Sequence, residues 1–237
     1  MRVHRVHLPD LSAGETAVTG SGALHLQRVL RVRPGQPVRA FDGQGMEADG
    51  QVVQVEEARV LLQLEAPRPA RVEAQLAVTV AVALLKGDKL ASVVRQCTEL
   101  GAARFLPFTS RHADVRELKG NKLERLRRVS SEAAKQSGRA VIPDVDEAMP
   151  LRRLVDQLAG QSVIYADPRA QLTINETVDR DSAAITVMSG PEGGFSAEER
   201  ESFGQAGFRG VRLGARILRA ETAPVALVSA LLLPEGL

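Results

Sequence analysis

The sequence predicts an α/β protein in two parts, a small all-β module over residues 1–70 and a larger parallel-sheet domain over residues 71–237. Three observations carry this. The first seventy residues hold short apolar runs between glycine- and proline-bearing turns, as in a small barrel. From Leu76 onward, continuous apolar runs alternate with helical periodicities, the pattern of strands buried on both faces of a sheet. Between the two parts, Ala66-Pro67-Arg68-Pro69-Ala70 carries two prolines, which stiffen a linker and interrupt a strand.

In the first part, Val18-Thr19-Gly20-Ser21-Gly22 reads as a turn. Leu24, Leu26, Val29 and Leu30 then place one short helix within His25–Val32. Pro34-Gly35-Gln36-Pro37 and Asp42-Gly43-Gln44-Gly45 bracket a strand at Val38–Phe41. Gln51–Glu56 and Arg59–Glu65 follow as strands. Before residue 40, Arg2, Arg5, Arg28, Arg31, Arg33 and Arg39 meet only Asp10 and Glu15. An exposed arginine cluster of this kind attracts phosphate, and salt weakens the attraction. The alternative is a solvated barrel surface.

In the second part, Leu76–Leu85 is the first buried strand. Lys86-Gly87-Asp88 turns the chain, with Asp88 placed to cap a helix carrying Leu90, Val93, Val94, Cys97 and Leu100 and stopped by Gly101. Cys97 lies on that apolar stripe and reads as an inert buried thiol. As the single cysteine, it excludes an internal disulfide and any multi-thiolate metal site. Arg104–Phe108 is the next strand. A helix from about Glu117 to Ser137, ended by Gly138, has a narrow stripe of Leu126, Val129, Ala133 and Ala134. Its broad cationic face includes Arg127 and Arg128, and suits either solvent or RNA. Leu151–Leu158 is a short helix, and Gln161–Asp167, Ala184–Met188 and Phe208–Leu213 are strands. Ser196-Ala197-Glu198-Glu199 is a capping box, and Pro224 fits a first helical turn. Val225–Leu233 is so apolar that it must pack in the core or against a second subunit.

The bulk properties exclude little else. Net charge is +2, aromatic residues make up 3% and tryptophan is absent, so the core is built of Val, Leu, Ile and Ala. No apolar run reaches the ~18 residues of a membrane span, and the start lacks the apolar core of a signal peptide. A cytoplasmic protein without a membrane partner is expected. His4, His7 and His25 lack metal-site spacing, and His112 stands alone in the second part, so no metal is expected.

The chemistry concentrates near the C-terminus. Ser189-Gly190-Pro191-Glu192-Gly193-Gly194-Phe195 follows one apolar run and Leu213-Gly214 follows another. Glycine turns leave backbone N–H and C=O groups uncovered, which suits a flat, mostly neutral ligand at the carboxyl ends of parallel strands. A phosphate cradle is the rival reading. The loop lacks the Gly-Lys-Ser/Thr ending of a P-loop and the Gly-x-Gly-x-x-Gly of dinucleotide folds, and Glu192 would repel an anion.

Gly190-Pro191-Glu192-Gly193-Gly194-Phe195-Ser196, followed by Leu213-Gly214-x-Arg216-Ile217-Leu218-Arg219-x-Glu221-Thr222-Ala223, resembles the ribosomal small subunit methyltransferase E family of SPOUT methyltransferases. Lys86-Gly87-Asp88-Lys89, Glu99-Leu100-Gly101-Ala102, Pro107-Phe108-Thr109-Ser110-Arg111, Gln136-Ser137-Gly138-Arg139 and Pro143 extend the resemblance over most of the chain. Lys135 departs from it, since the family more often has an acidic or neutral residue there. The resemblance implies a PUA-like RNA-binding barrel and a trefoil-knotted parallel-sheet domain. It also implies a homodimer, and S-adenosyl-L-methionine as cofactor in methylation of N3 of a uridine in 16S rRNA of the small ribosomal subunit.

The implied cofactor pocket comprises Tyr165 and Pro168, the loop Ser189, Gly190, Pro191, Glu192, Gly193 and Gly194, and Leu213, Gly214, Arg216, Ile217, Leu218 and Thr222. Arg111, Arg139 and Arg219 are candidates for a cationic field favouring the N3 anion. Glu221, and after it Glu192, are candidate bases. RNA contacts are expected from Arg2, Arg5, Arg28, Arg31, Arg33, Arg127 and Arg128. The alternatives are a SPOUT enzyme acting on a ribose hydroxyl, or a non-catalytic RNA-binding assembly factor.

Overall fold

The computed structural model describes residues 3–118, 120–178 and 182–233. They form two compact units. The first runs up to Glu73 and takes in Ala134–Ile142; the second comprises Ala74–Ala133 and the chain from Pro143. The discontinuous segment is the difference from a simple division at the proline linker.

In the first unit, strands β1 (His4–His7), β2 (Gly14–Thr19), β3 (Pro37–Phe41), β4 (Met46–Glu56), β5 (Arg59–Leu64) and β6 (Arg68–Pro69) form one sheet. Its order is β1-β3-β4-β5-β2, with β6 paired to β4. The β1–β3 pair is parallel and the other pairs are antiparallel. Val38, Ala40, Val60, Leu62 and Leu64 are buried, joined by Ala23, Leu26 and Val32.

Two expectations are corrected here. The helix begins earlier, as α1 (Gly20–Leu24) continued by a wider helical turn at His25–Val29. Gly20, in the left-handed region at φ 60°, lets the chain enter the helix where a turn was expected, and buried Ala23 and Leu26 hold it to the core. The presumed linker is partly strand. Arg68 pairs across to Glu47, and its guanidinium reaches Asp49 at 2.6 Å.

The segment 134–142 is held by Glu73. That carboxylate accepts hydrogen bonds from Arg139 Nε (3.0 Å) and Nη2 (2.8 Å) and from the backbone N–H groups of Ala140 (2.8 Å) and Val141 (3.0 Å).

The second unit is a parallel sheet of β7 (Ala77–Ala83), β8 (Arg104–Thr109), β9 (Asp144–Val145), β10 (Met149–Pro150), β11 (Val163–Ala166), β12 (Ala184–Ser189) and β13 (Arg209–Val211). The order is β10-β8-β7-β12-β11-β13, with β9 also on β8. Alternate residues of β7 feed two cores. Val78, Val80 and Val82 join α2 (Lys89–Leu100), α3 (Asn121–Ser137) and α6 (Thr222–Leu232), whereas Ala81 and Ala83 join α4 (Leu151–Leu158) and α5 (Ala197–Gln205).

Leu90, Val93, Val94 and Cys97 are buried on α2, and Gly101 ends it at φ 112°. Burial pushes the Cys97 thiol up to about 12, so it is an inert core group. The side chain of Asp88 does not cap α2; its carboxylate is taken by Arg125 at 2.7 Å. Helix α3 starts at Asn121 rather than near Glu117, after Gly120 at φ 54°. The expected capping box is present: Glu199 N–H donates to Ser196 Oγ (3.2 Å), and Ser196 N–H donates to Glu199 Oε2 (2.7 Å). Among the described residues no helix is long and apolar enough to cross a membrane.

The placement of β12 between β7 and β11 decides where a site can form. The chain leaves β7 toward β8 on one side and later returns to build β11, β12 and β13 on the other. Such a reversal opens a crevice at the carboxyl ends of the strands.

Candidate functional site

The loops that follow β11, β12 and β13 enclose a cavity of about 680 Å³ in the second unit. This lies within the ~300–1,000 Å³ usual for small-molecule sites. The loops are tied to one another. Asp167 N–H donates to Val211 C=O (3.0 Å), and Ser189 Oγ lies 3.4 Å from the Ala220 carbonyl oxygen. Arg200 reaches Asp167 at 3.9 Å and donates to Phe195 C=O.

The glycine loop owes its path to close approaches. A Cβ on Gly190 would lie 3.2 Å from the Phe195 ring, and one on Gly193 would lie 2.8 Å from His112 Cβ. Pro191 C=O accepts from Gly194 N–H at 2.9 Å, closing a tight turn. Beneath it, Phe195 packs edge-on against Phe203 (4.9 Å) and Tyr165 (6.0 Å), so an aromatic cluster fixes the loop from behind.

Pro168, Ser189, Gly190, Pro191, Glu192, Gly193, Gly194, Leu213, Gly214, Arg216, Ile217 and Leu218 line the cavity, as do Arg219 and Glu221. Tyr165 and Thr222 do not. Tyr165 supports Phe195 and sits under Gly210, and Thr222 begins α6, its N–H donating to Arg219 C=O at 2.9 Å.

Lys89, Asp167, Arg169 and Arg200 also line the cavity and were missed. Lys89 Nζ stands 2.8 Å from Glu192 Oε1 and 3.5 Å from Glu221 Oε2. The signal available for Lys89 was its place in the Lys86–Lys89 block; for Asp167 it was its position just past a strand. Glu221 Oε2 is buried, and the Lys89 ammonium is its ion-pair partner. Burial works to raise the Glu192 carboxyl, yet the Lys89 ammonium and backbone donors hold it below its ordinary value. The wall thus carries three carboxylates, Asp167, Glu192 and Glu221, among lysine and arginine side chains, and so can meet a ligand that bears both signs of charge.

The other predicted side chains lie elsewhere. Arg111 lines a second cavity of the same unit; its N–H donates to Glu199 at 2.8 Å and its guanidinium pairs with Glu198 at 3.1 Å. Arg139 belongs to the first unit, 5% exposed and bound to Glu73. Arg5 is also held inside that unit, with Nη1 3.5 Å from Glu47, Nη2 donating to Arg139 C=O at 2.8 Å, and its guanidinium over Phe41. Arg139 and Arg5 are thus held by carboxylates and a carbonyl from sequence-distant parts of the same unit. Arg28, Arg31 and Arg33 are exposed on one short stretch, beside exposed Val29. Arg127 donates to Val145 C=O (3.2 Å) and Glu124 (2.7 Å), and Arg128 is exposed. Arg2 lies outside the described residues.

Residues 72–232 match the family described as the RNA methyltransferase domain, and residues 18–65 match the RNA methyltransferase PUA domain. The chain is 34% identical to ribosomal RNA small subunit methyltransferase E of Synechocystis, over 98% of this chain and 78% of that protein. It is 30% identical to the protein of the same name from Bacillus subtilis, over 91% of this chain and 88% of that one. A crystal structure of ribosomal RNA small subunit methyltransferase E from Neisseria gonorrhoeae, bound to S-adenosyl methionine, superposes with a TM-score of 0.90 at 30% identity, covering 97% of this chain and 96% of that one. The motifs, the parallel sheet and these likenesses agree: this chain belongs to the ribosomal RNA small subunit methyltransferase E family.

Proposed function

We propose that the chain is an S-adenosyl-L-methionine-dependent methyltransferase acting on N3 of a uridine in 16S rRNA, with the cofactor held by the three loops around the 680 Å³ cavity. The observation that carries the reading is the enclosure of the cavity by both family motifs at once. The wall fits the group: glycine turns expose main-chain donors and acceptors, and carboxylates and arginines stand together in the lining to meet the cationic and anionic ends of an amino-acid sulfonium. When bound, S-adenosyl-L-methionine supplies an electrophilic methyl on a positive sulfonium.

The chain's own task is to hold the uridine in line with that methyl and to favour loss of the N3 proton. Positioning accounts for much of the acceleration in such a transfer. Arg219, exposed at the cavity, favours the N3 anion by its charge and cannot act as a base. Glu221 is the base we favour. It lines the cavity and places a carboxylate beside the expected position of the reacting base. Arg111 lines the second cavity and belongs to the RNA path in this reading.

We further infer that the second unit is knotted around these loops, that the first closes as a PUA-like barrel, and that two copies form a homodimer in the cytoplasm. The support is the family resemblance; the apolar side chains Leu227, Val228, Leu231 and Leu232 of α6 are already buried in the core of the second unit. Arg28, Arg31, Arg33 and Arg128 are the favoured RNA contacts because they are exposed.

Calorimetric titration with S-adenosyl-L-methionine, followed by labelled-methyl transfer to small ribosomal subunits and nucleoside analysis, tests the reading. Micromolar binding and 3-methyluridine are expected. Label in a ribose methyl would favour the ribose-directed alternative, and cofactor binding without transfer would remove the enzymatic reading.

A further inference from the structure

The second unit carries another cavity, of about 720 Å³, at the carboxyl end of β8 between α4 and α5. The cofactor motifs do not line it. We propose that it receives one nucleotide of the RNA strand flanking the target uridine, an inference that rests on the RNA methyltransferase reading above.

Three independent features point to an anion joined to a polar and apolar body. The first is the start of α4. Pro150 precedes it, no side chain caps it, and its first turn contains no acidic residue. Arg152 and Arg153 stand there instead, putting positive charge where the helix dipole favours negative charge. A helix start without a side-chain cap, beside an arginine, suits a phosphate.

The second feature is Ser110, which lines the cavity and is 5% exposed. Its Oγ is buried and has no hydrogen-bond partner. A buried hydroxyl left unpaired is costly, and a shift of the Ser110 side chain toward the cavity would let a ribose hydroxyl or base edge satisfy it.

The third is the balance of the wall. Leu151 and Val155 supply apolar surface for a base, while Arg111, Arg116 and Arg152 share the wall with Asp156, Glu198 and Glu199. Both oxygens of Glu199 are occupied by backbone N–H groups, of Arg111 and Ser196. The Arg111–Glu198 pair is solvent-exposed, with side-chain exposures of 64% and 70%. Such a pair is weak and exchangeable, so a phosphodiester can replace Glu198 on Arg111.

The loop between the two cavities joins them physically. Arg116 Nη1 donates to Ser110 C=O (3.2 Å) and its Nη2 to Arg111 C=O (3.3 Å). The next residue, His112, packs against Gly193 of the cofactor loop. A nucleotide in the second cavity therefore sits against the same loop that borders the first.

The test uses Arg152→Glu and Ala159→Trp, both at exposed positions on the rim. Each variant should raise the KM for small-subunit RNA about tenfold while the Kd for S-adenosyl-L-methionine stays at the wild-type value. Amide resonances of Ser110 and Arg152 should shift on titration with uridine 5′-monophosphate, and should not shift in Ala159→Trp. A wild-type KM for RNA in both variants overturns the inference. If the mononucleotide binds but the KM is insensitive, the cavity serves a free nucleotide and the RNA assignment falls. If the wild-type protein transfers no methyl to RNA, the underlying reading fails separately, and unmoved amides would then remove the nucleotide site as well.

Discussion

The two units arrange their polar groups in opposite ways. The second unit shapes its cavity with glycine turns, Gly190 and Gly193 letting backbone approach Phe195 and His112. The first builds a network of charged side chains. Arg39 pairs with Asp49 at 2.6 Å, Arg68 reaches both Asp49 and Glu47, and Arg139 binds Glu73. A main-chain site needs a short run of particular residues at one place. A side-chain network joins residues scattered over more than a hundred positions.

The contrast predicts that the largest change comes from breaking the network where it is most buried. In Glu73→Ala, Arg139 loses its carboxylate while 5% exposed. Denaturant unfolding should show a loss of about 3–5 kcal/mol, the usual cost of removing one member of a buried ion pair. A loss below about 1 kcal/mol would mean that the segment 134–142 is held by its backbone pairing instead.

Next comes the main-chain site. Gly193→Trp places a Cβ 2.8 Å from His112 Cβ, so the loop must move. Calorimetry should show affinity for S-adenosyl-L-methionine reduced at least a hundredfold, about 3 kcal/mol, with the unfolding free energy changed far less than in Glu73→Ala. Equal losses of binding and stability would erase the distinction between the two regions.

Lys89→Met probes a place where the cavity borrows the charged-network device. Glu192 is held below its ordinary value partly by Lys89, so it stays ionised until the pH falls through that lowered value. Without the ammonium it protonates at higher pH, and the acid limb of cofactor binding should move upward. At pH 7 the change in affinity should be under about tenfold, since the pair is partly solvated. An acid limb that does not move would show Glu192 to be uninvolved in binding.

The smallest effect is expected on the exposed stretch. Arg33→Ala should leave stability within about 0.5 kcal/mol. It should lower RNA affinity a few-fold and reduce the log–log salt slope by about 1. A stability loss like that of Glu73→Ala would place Arg33 with Arg5 among the internal arginines.

The same contrast explains what was legible in advance. The two glycine motifs and the Ser196–Glu199 capping box could be read directly, because each is completed within a few residues. The strands β7, β11 and β12 could be read from apolar runs, since burial on both faces leaves no polar alternation. Counting charges before residue 40 misled for Arg5 and Arg39, because the neutralising residues Glu47 and Asp49 come from the next strand, and Asp49 stands opposite Arg39 in the β3–β4 register. Asp88 had the right residue type for a cap, but Arg125, thirty-seven positions away, draws its carboxylate off.

By itself, then, the sequence determined the α/β class, the strands and helices, and the turns that enclose the cavity, since local periodicity and glycine placement suffice for these. Only the tertiary structure decided which arginines are internal, that Lys89 faces Glu192 and Glu221, that residues 134–142 join the first unit, and that Ser110 is left unpaired beside a second cavity. Each of these depends on which distant groups meet after folding, and hydrogen bonds and ion pairs are settled by distance in space rather than along the chain.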